Sequence, residues 1–298
     1  LLKKRKHALS SVFQPKDGHI KKEPKTMTYN SIIFEIENGV GLIRLNRPDE
    51  GNAIIPEMGR ELLDVAIRCD EDQKIRSVVL TGNGNRFCVG GDLKAFNVKA
   101  EGISRYVTEI THTFHAAISR FNWMDAPVIG AINGTAAGGG FSLALTTDIA
   151  IAAESAKFTM AYTKVGLVPD GSSSYFLARI VGLRRAKEMA LLNPILSAEQ
   201  AMNWGLINQV VADDQVLSTA LEIAHKLAKG PTRSFGETKR LILTGTTDSL
   251  ESQMERESRT ISAMAASADG REGIAAFVSK RMPVFQGSWD SPERPINK

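Results

Sequence analysis

Two glycine-rich stretches, Phe87-Cys88-Val89-Gly90-Gly91-Asp92-Leu93 and Asn133-Gly134-Thr135-Ala136-Ala137-Gly138-Gly139-Gly140, decide how this chain folds. Each follows an apolar run that reads as a buried strand. Arg76-Ser77-Val78-Val79-Leu80-Thr81 precedes the first and Pro127-Val128-Ile129-Gly130-Ala131-Ile132 the second. Glycine lets the backbone approach a ligand closely and aim its N–H groups outward. Two such N–H groups converging on one point would form an oxyanion hole, which stabilises charge developing on a carbonyl oxygen.

Working outward, Ser31–Ile36 and Val40–Leu45 flank Glu37-Asn38-Gly39, and Asn-Gly between two apolar runs signals a hairpin. Pro56 starts a helical pattern with apolar residues at Met58, Leu62, Leu63, Ala66 and Ile67, ending near Cys69. Residues Ile103 to Trp123 read as a long amphipathic helix leading into the strand at Val128. The second glycine run opens a short helix, Phe141 to Thr146. Asp148–Ala152 and Phe158–Met160 read as strands. The strand–turn–helix rhythm thus occurs twice, which suggests stacked repeats of one supersecondary unit. From Ser172 onward the pattern is helical, with only Leu206–Val211 extended. Ser197 with Gln200 forms a capping box, and Asp269 with Glu272 is expected to form another.

Composition narrows the function. The 298 residues are 43% apolar, enough for a large core. No apolar run approaches the roughly 20 residues that span a bilayer. Two cysteines, Cys69 and Cys88, give no disulfide framework and suit a reducing compartment, so a cytoplasmic location is expected. The net charge of +4 is concentrated at one end. Residues 1–26 carry eight lysines and arginines against Asp17 and Glu23, which leaves the remaining chain slightly acidic. A body without a basic surplus argues against nucleic-acid binding. The tail itself reads as a disordered basic arm, as a transit segment that would direct the protein to mitochondria, or as residues upstream of a start at Met27.

Metal and nucleophile chemistry find little support. His7, His19, His112, His115 and His225 form no ligand cluster, and no metal is expected. His112 and His115, three apart on one helix, read as a helix face. Gly-x-Ser-x-Gly and a phosphate-binding Gly-x-x-x-x-Gly-Lys-Ser/Thr run are absent. Cys88 reads as a small packing residue.

Taken together, Phe-Cys-x-Gly-Gly-Asp-Leu and Asn-Gly-x-Ala-x-Gly-Gly-Gly-Phe resemble the crotonase (enoyl-CoA hydratase/isomerase) superfamily. Leu45-Asn46-Arg47-Pro48 with Asn52-Ala53, Ser197–Ala201 through Trp204–Ile207, and Arg271–Arg281 are similar to the same family, so the likeness covers about Tyr29 to Gln286. The resemblance implies an α/β fold, a spiral of repeated ββα units over residues 27–216 followed by a helical, oligomer-forming region over 217–298. It implies an acyl-CoA substrate, no separate cofactor, and assembly into a homotrimer or a dimer of trimers. The backbone N–H groups of Gly91 and Gly139 would form the oxyanion hole. Asn52, Ala53, Val89, Asp92 and Leu93 would wall the CoA site, and Lys280 would offer a cation to CoA phosphates. Glu50 departs from the family's usual Lys or Arg in that loop.

The reaction type turns on acids. Hydratases of the family use two glutamates, and the matching positions hold Ser142 and Tyr162, which are expected to line the acyl pocket. An acid appears instead at Asp170, within Gly166-Leu167-Val168-Pro169-Asp170-Gly171-Ser172-Ser173. Alone, Asp170 would be read as a helix cap. In context it resembles the single acid of Δ3,Δ2-enoyl-CoA isomerases, closest to the ring-modifying isomerases of phenylacetate catabolism. Apolar Phe141 and Leu143 are expected near it. The implied activity is double-bond isomerisation through an enolate, with Asp170 shuttling the proton. Hydratase, hydrolase or naphthoyl-CoA-synthase-like chemistry is the alternative. A non-catalytic module using the basic arm for RNA or a partner is a further one.

Overall fold

The computed structural model describes residues 29–287, so the basic tail and its three readings lie outside the described residues. Strands β1 (Ile32–Glu37) and β2 (Val40–Leu45) form the expected antiparallel hairpin. Asn38 and Gly39 both take positive φ, 50° and 84°, as a tight two-residue turn matching strand twist requires. Helix α1 (Pro56–Glu71) starts on its proline and buries Met58, Leu62, Val65, Ala66 and Cys69. Val65, not Ile67, completes the buried stripe; Ile67 falls on the exposed side.

Strand β3 (Ser77–Gly82) is buried along its whole length and pairs parallel with β2. After the first glycine turn come the short α2 (Leu93–Val98), which the sequence reading did not resolve, and α3 (Ile103–Trp123) with the expected bounds. Strand β4 (Val128–Ile132) returns parallel to β3. The second glycine turn then passes through β5 (Ala136–Ala137) into α4 (Gly139–Leu145), which begins two residues before Phe141.

Strands β6 (Ile149–Ala153) and β7 (Lys157–Thr159) follow, each displaced by one residue from its expected start. Helix α5 (Ser173–Leu192) is broken at Gly182, whose φ of 79° leaves the helical region. Strand β8 (Leu196–Ser197) and α6 (Ala198–Asn203) carry the capping box, with Ser197 Oγ accepting from Gln200 N. Strand β9 (Gln209–Val211) is shorter than the apolar run that suggested it, and β8 adds extended chain where a helix was expected.

The main sheet runs β1-β2-β3-β4-β6-β9, parallel apart from the hairpin, and β5-β7-β8 form a second sheet. The two strand–turn–helix units stack directly. Cys88 and Ala136 form a parallel bridge between the glycine turns. This is the expected α/β spiral, and its outer faces are covered by α1 against α3 and by α7 (Val216–Ala228) against β3, β4 and β6.

The C-terminal helices are α8 (Thr232–Thr244), α9 (Leu250–Ala266) and α10 (Ala268–Val278). Two basic residues clamp α8 to the turn between α3 and β4 and, through Asp148, to the turn before β6. Lys239 pairs with Asp148 at 2.7 Å, and Arg240 donates to Asp125 at 2.8 Å and to the Trp123 carbonyl at 2.7 Å. The expected Asp269–Glu272 capping box does not form. Ser267 caps α10, accepting from Gly270 N. Asp269 instead accepts the N–H groups of Gln286 and Gly287, while Glu272 pairs with Arg281. Both acids are drawn away because the chain after α10 folds back across that end of the helix. No described helix is long and apolar enough to cross a membrane.

Candidate active site

The site begins where the two glycine turns touch. Cys88 N donates to Thr135 O at 3.1 Å and Ala137 N to Cys88 O at 3.0 Å. Ile54 joins the first turn in a second bridge, donating to Gly90 O at 2.7 Å and accepting from Asp92 N at 3.2 Å. This backbone-to-backbone approach leaves no room for side chains. A Cβ on Gly140 would lie 2.0 Å from the Cys88 carbonyl oxygen, and one on Gly90 would lie 2.9 Å from Gly139 N. The N–H groups of Gly91 and Gly139 have no protein acceptor among the described residues. Gly139 is the first residue of α4, where the helix's own geometry supplies no acceptor and favours an anion.

The side chains around this point divide into those that build the loop and those that face open space. Asn52 is wholly buried: its Oδ1 accepts from Arg47 N, and its amide donates to the carbonyls of Asn83 and Arg86. Asp92 caps α2 through Ala95 N and pairs with Arg47 at 3.1 Å. Burial works against the Asp92 charge, but the Ala95 N–H and Arg47 outweigh it and hold the carboxyl below its usual range. Both residues therefore shape the loops around the first glycine turn through their backbone. Ala53 is buried, Val89 half-buried, and Leu93 49% exposed beside them. Glu50 lies 4.0 Å from Arg47. Lys280 sits just past α10 with its side chain exposed, and among the described residues no bond ties it to the glycine turns.

Cys88 is fully buried, and burial pushes its thiol up to about 12, so no thiolate is available near neutral pH. It packs between the turns, its sulfur 3.1 Å from the Asn52 carbonyl.

Asp170 stands across from these turns on the segment between β7 and α5. Gly171 and Ser172 follow it with φ of 57° and 65°, turning the chain sharply into the helix. Gly171 is wedged so tightly that a Cβ would meet the Phe114 ring and Ser142 Cβ, each at 2.9 Å. The Asp170 side chain caps nothing. Its backbone carbonyl accepts from Ser173 N and Ser173 Oγ, leaving the carboxyl free to face other groups. Those groups are polar. Tyr162 donates its hydroxyl to Asp170 Oδ1 at 2.5 Å, and His115 Nε2 lies 3.2 Å from Oδ2. Phe141 and Leu143, expected beside the acid, are instead buried in the core, where Phe141 packs on Phe158.

Ser142 connects the acid to the start of α4. Its hydroxyl lies 2.9 Å from Tyr162 Oη, 2.9 Å from the Asp170 carbonyl and 3.2 Å from the Gly138 carbonyl. Because Tyr162 gives its one proton to Asp170, only Ser142 can donate in their contact, and its single proton is shared among Tyr162 Oη and the Asp170 and Gly138 carbonyls. Burial, then the Asp170 charge, pushes the Tyr162 phenol far above its usual value, so it stays a neutral donor.

His115 is the residue that sequence reasoning passed over. It lies on α3 next to buried Phe114, at the edge of the stripe that continues through Ile118. Its spacing from His112 suggested only a helix face; a link to Asp170, 55 positions away, leaves no trace in local pattern. His115 and Gly171 also border a cavity of about 480 Å³ between α3, α5 and α8, further lined by Ile118, Trp123, Phe176 and Leu243.

Comparison with known proteins agrees with this architecture. Residues 35–288 match the family model described as enoyl-CoA hydratase/isomerase. The chain is 41% identical to a 1,2-epoxyphenylacetyl-CoA isomerase of Escherichia coli, over 86% of this chain and 98% of that protein. It is 36% identical to 4-chlorobenzoyl coenzyme A dehalogenase-2 of an Arthrobacter species, over 84% and 91% respectively. Among solved structures, an enoyl-CoA hydratase from Polaromonas sp. JS666 superposes with a TM-score of 0.82 at 33% identity, covering 86% of this chain and all of that one. The stacked glycine turns, the spiral that carries them and these matches place the chain in the enoyl-CoA hydratase/isomerase family.

Proposed function

We propose that the protein is an acyl-CoA isomerase that shifts a double bond in an enoyl-CoA, or in a related ring acyl-CoA, with Asp170 as the single proton-shuttling base. The observation that carries this reading is the setting of Asp170. The two positions that hold glutamates in the family's hydratases are Ser142 and Tyr162, and here they support one carboxylate rather than supplying two. One carboxylate is what a 1,3-proton transfer needs, whereas two would be wanted to hold and activate water.

In this mechanism the thioester oxygen lies between the N–H groups of Gly91 and Gly139. Asp170 removes a proton from C2, and the electron pair moves onto the thioester oxygen as an enolate. Each N–H donor stabilises that charge by about 3 kcal/mol. The protonated Asp170 then returns the proton at C4, and the double bond comes to lie between C2 and C3. The step is a redox-neutral proton transfer, and CoA enters as part of the substrate. Val89, Asp92 and Leu93 form the CoA wall, Asn52 and Ala53 hold the loop behind it, and Lys280 lies toward the phosphates. The acyl group occupies the cavity under His115, between Ile118, Trp123, Phe176 and Leu243.

The C-terminal helices would carry self-association into a trimer or a dimer of trimers. Phe277 is 86% exposed, and Met254, Ile261 and Ile274 are exposed with it, an apolar face that water alone would cover poorly.

A second reading is a different reaction on the same enolate-stabilising frame. The imidazole of His115 beside Asp170 favours it, because a carboxylate–imidazole pair can also activate water or support addition to a ring acyl-CoA. Turnover of a 3-enoyl-CoA and a 2-enoyl-CoA, with Asp170→Asn alongside, separates the two. Conjugation of the 3-enoyl substrate, reduced about 1,000-fold in the mutant, supports the isomerase. Water addition without isomerisation, indifferent to Asp170, would overturn it.

A further inference from the structure

His115 Nε2 faces two groups at once. Gly171 N donates to it at 3.0 Å, and Asp170 Oδ2 lies 3.2 Å away. An imidazole nitrogen carries either a proton or a lone pair. The Gly171 N–H points at Nε2, so Nε2 presents its lone pair. Gly171 is closely packed on one side, where an added Cβ would lie 2.9 Å from the Phe114 ring and from Ser142 Cβ. A lone pair 3.2 Å from a carboxyl oxygen is favourable only when a proton lies between them, which means Asp170 in its acid form. The other carboxyl oxygen is already covered by Tyr162, so Oδ2 is the one left to take a proton.

We infer that His115 is a positioning residue for the acid form of Asp170: its Nε2 accepts the Oδ2–H while Asp170 carries the substrate's proton between C2 and C4. The inference rests on the isomerase reading above. The C2–H bond breaks, its electron pair enters the dienolate, and the proton becomes the Oδ2–H held against His115. The dienolate then forms the C4–H bond, and Oδ2 returns to a carboxylate. The Gly171 N–H has a second part in this. It shares the single Nε2 lone pair with Oδ2–H in a three-centre contact, which opposes full transfer of the proton to the imidazole, whose half-exposed ring would otherwise release it to water.

The test is the fate of the label from 3-enoyl-CoA deuterated at C2. If the inference holds, the wild-type product carries most of the transferred deuterium at C4. His115→Leu, which offers no acceptor, should lower that fraction several-fold. His115→Gln, whose amide oxygen reaches about as far as Nε2, should restore it. A purely structural role for His115 would slow turnover in both variants and leave the label's partition unchanged. Unchanged or higher retention in His115→Leu overturns the inference, and so does a wild-type product that has lost its label to solvent while isomerisation proceeds. In either case the isomerase reading survives. Absence of isomerisation by the wild type removes both. Should His115→Leu not fold by circular dichroism, the comparison of wild type with His115→Gln decides alone, retention in both supporting the inference and solvent label in both overturning it.

Discussion

Tyr162 Oη donates to Asp170 Oδ1 at 2.5 Å, and this bond joins the two positions on which the proposed chemistry depends. Tyr162 follows an αL residue, Ala161, in a short 3-10 turn, and Ser142 backs it from α4. The acid is thus held by a donor that is itself held, so the carboxyl is oriented before substrate arrives.

Tyr162→Phe removes that donor with almost no change of volume. A hydrogen bond to a charged group contributes about 1.5–3 kcal/mol. Turnover of a 3-enoyl-CoA should therefore fall about 10- to 100-fold, with KM changed far less, because the ring still fills its place. Steady-state kinetics on the purified variant check this, and an equal loss in KM alone would point to a substrate-binding role instead.

The same residue carries a pH prediction. The Tyr162 phenol is held above its unfolded value of 10, first by burial and then by the Asp170 charge. Its contribution to stability is therefore fully present below about pH 10 and lost as the pH rises further, through the folded value. Wild-type Tm should drop between pH 10 and 11 more steeply than that of Tyr162→Phe, which has no phenol to ionise. Parallel slopes in thermal melts of the two proteins would show that Tyr162 does not control the alkaline limb.

Cys88 should be inert. With its thiol pushed up to about 12 by burial, it should resist iodoacetamide at pH 8 in the folded protein and react only on unfolding. Cys88→Ala should keep its activity within about three-fold while losing roughly 1–2 kcal/mol of stability from the small cavity between the turns. Mass spectrometry of the alkylated protein and a urea melt read both quantities.

Local chemistry located the hairpin at Asn38-Gly39, the Pro56 start of α1 and the bounds of α3, because each rests on contacts a few positions apart. The glycine turns were visible as turns, and the family resemblance supplied their partnership. The clamp on Asp170 was out of reach. Its members come from α3, α4 and the segment after β7, and only the spiral brings His115, Ser142 and Tyr162 to one carboxyl. Asp269 misled for a similar reason: its spacing to Glu272 fits a capping box, but the returning chain at Gln286 and Gly287 claims its oxygens.

Arg76 gives a prediction about that returning chain. Its guanidinium donates to Gly230 O at 2.6 Å, Phe285 O at 3.1 Å and Thr232 Oγ1 at 3.2 Å. It fastens the start of β3's approach, the α7–α8 turn and the last described residues to one another. Arg76→Met keeps much of the stem but leaves three acceptors without a donor, at a cost of roughly 1–3 kcal/mol. Trypsin should then cut at Arg281 faster in the variant than in the wild type, with activity at low temperature little changed. Equal cleavage rates would mean the Asp269 contacts hold the segment unaided.

Gly140→Ala tests the fold at its tightest point. A methyl at Gly140 would sit 2.0 Å from the Cys88 carbonyl oxygen and 2.6 Å from its carbon, and both are backbone atoms of a bridged segment. No side-chain rotation can relieve that contact, so the two glycine turns must move apart. A strained core of this kind costs several kcal/mol. Gly91→Ala differs, because its methyl would meet the Phe96 ring at 2.8 Å, and a side chain can shift. Thermal melts should therefore rank Gly140→Ala far below Gly91→Ala, with the first recovered mainly as insoluble protein. The activity assay should find Gly91→Ala folded but impaired about 100-fold, since displacing one oxyanion N–H removes about 3 kcal/mol from the transition state. A Gly140→Ala protein as stable and active as the wild type would mean that the turns do not pack as closely as the Cys88–Ala136 bridge requires.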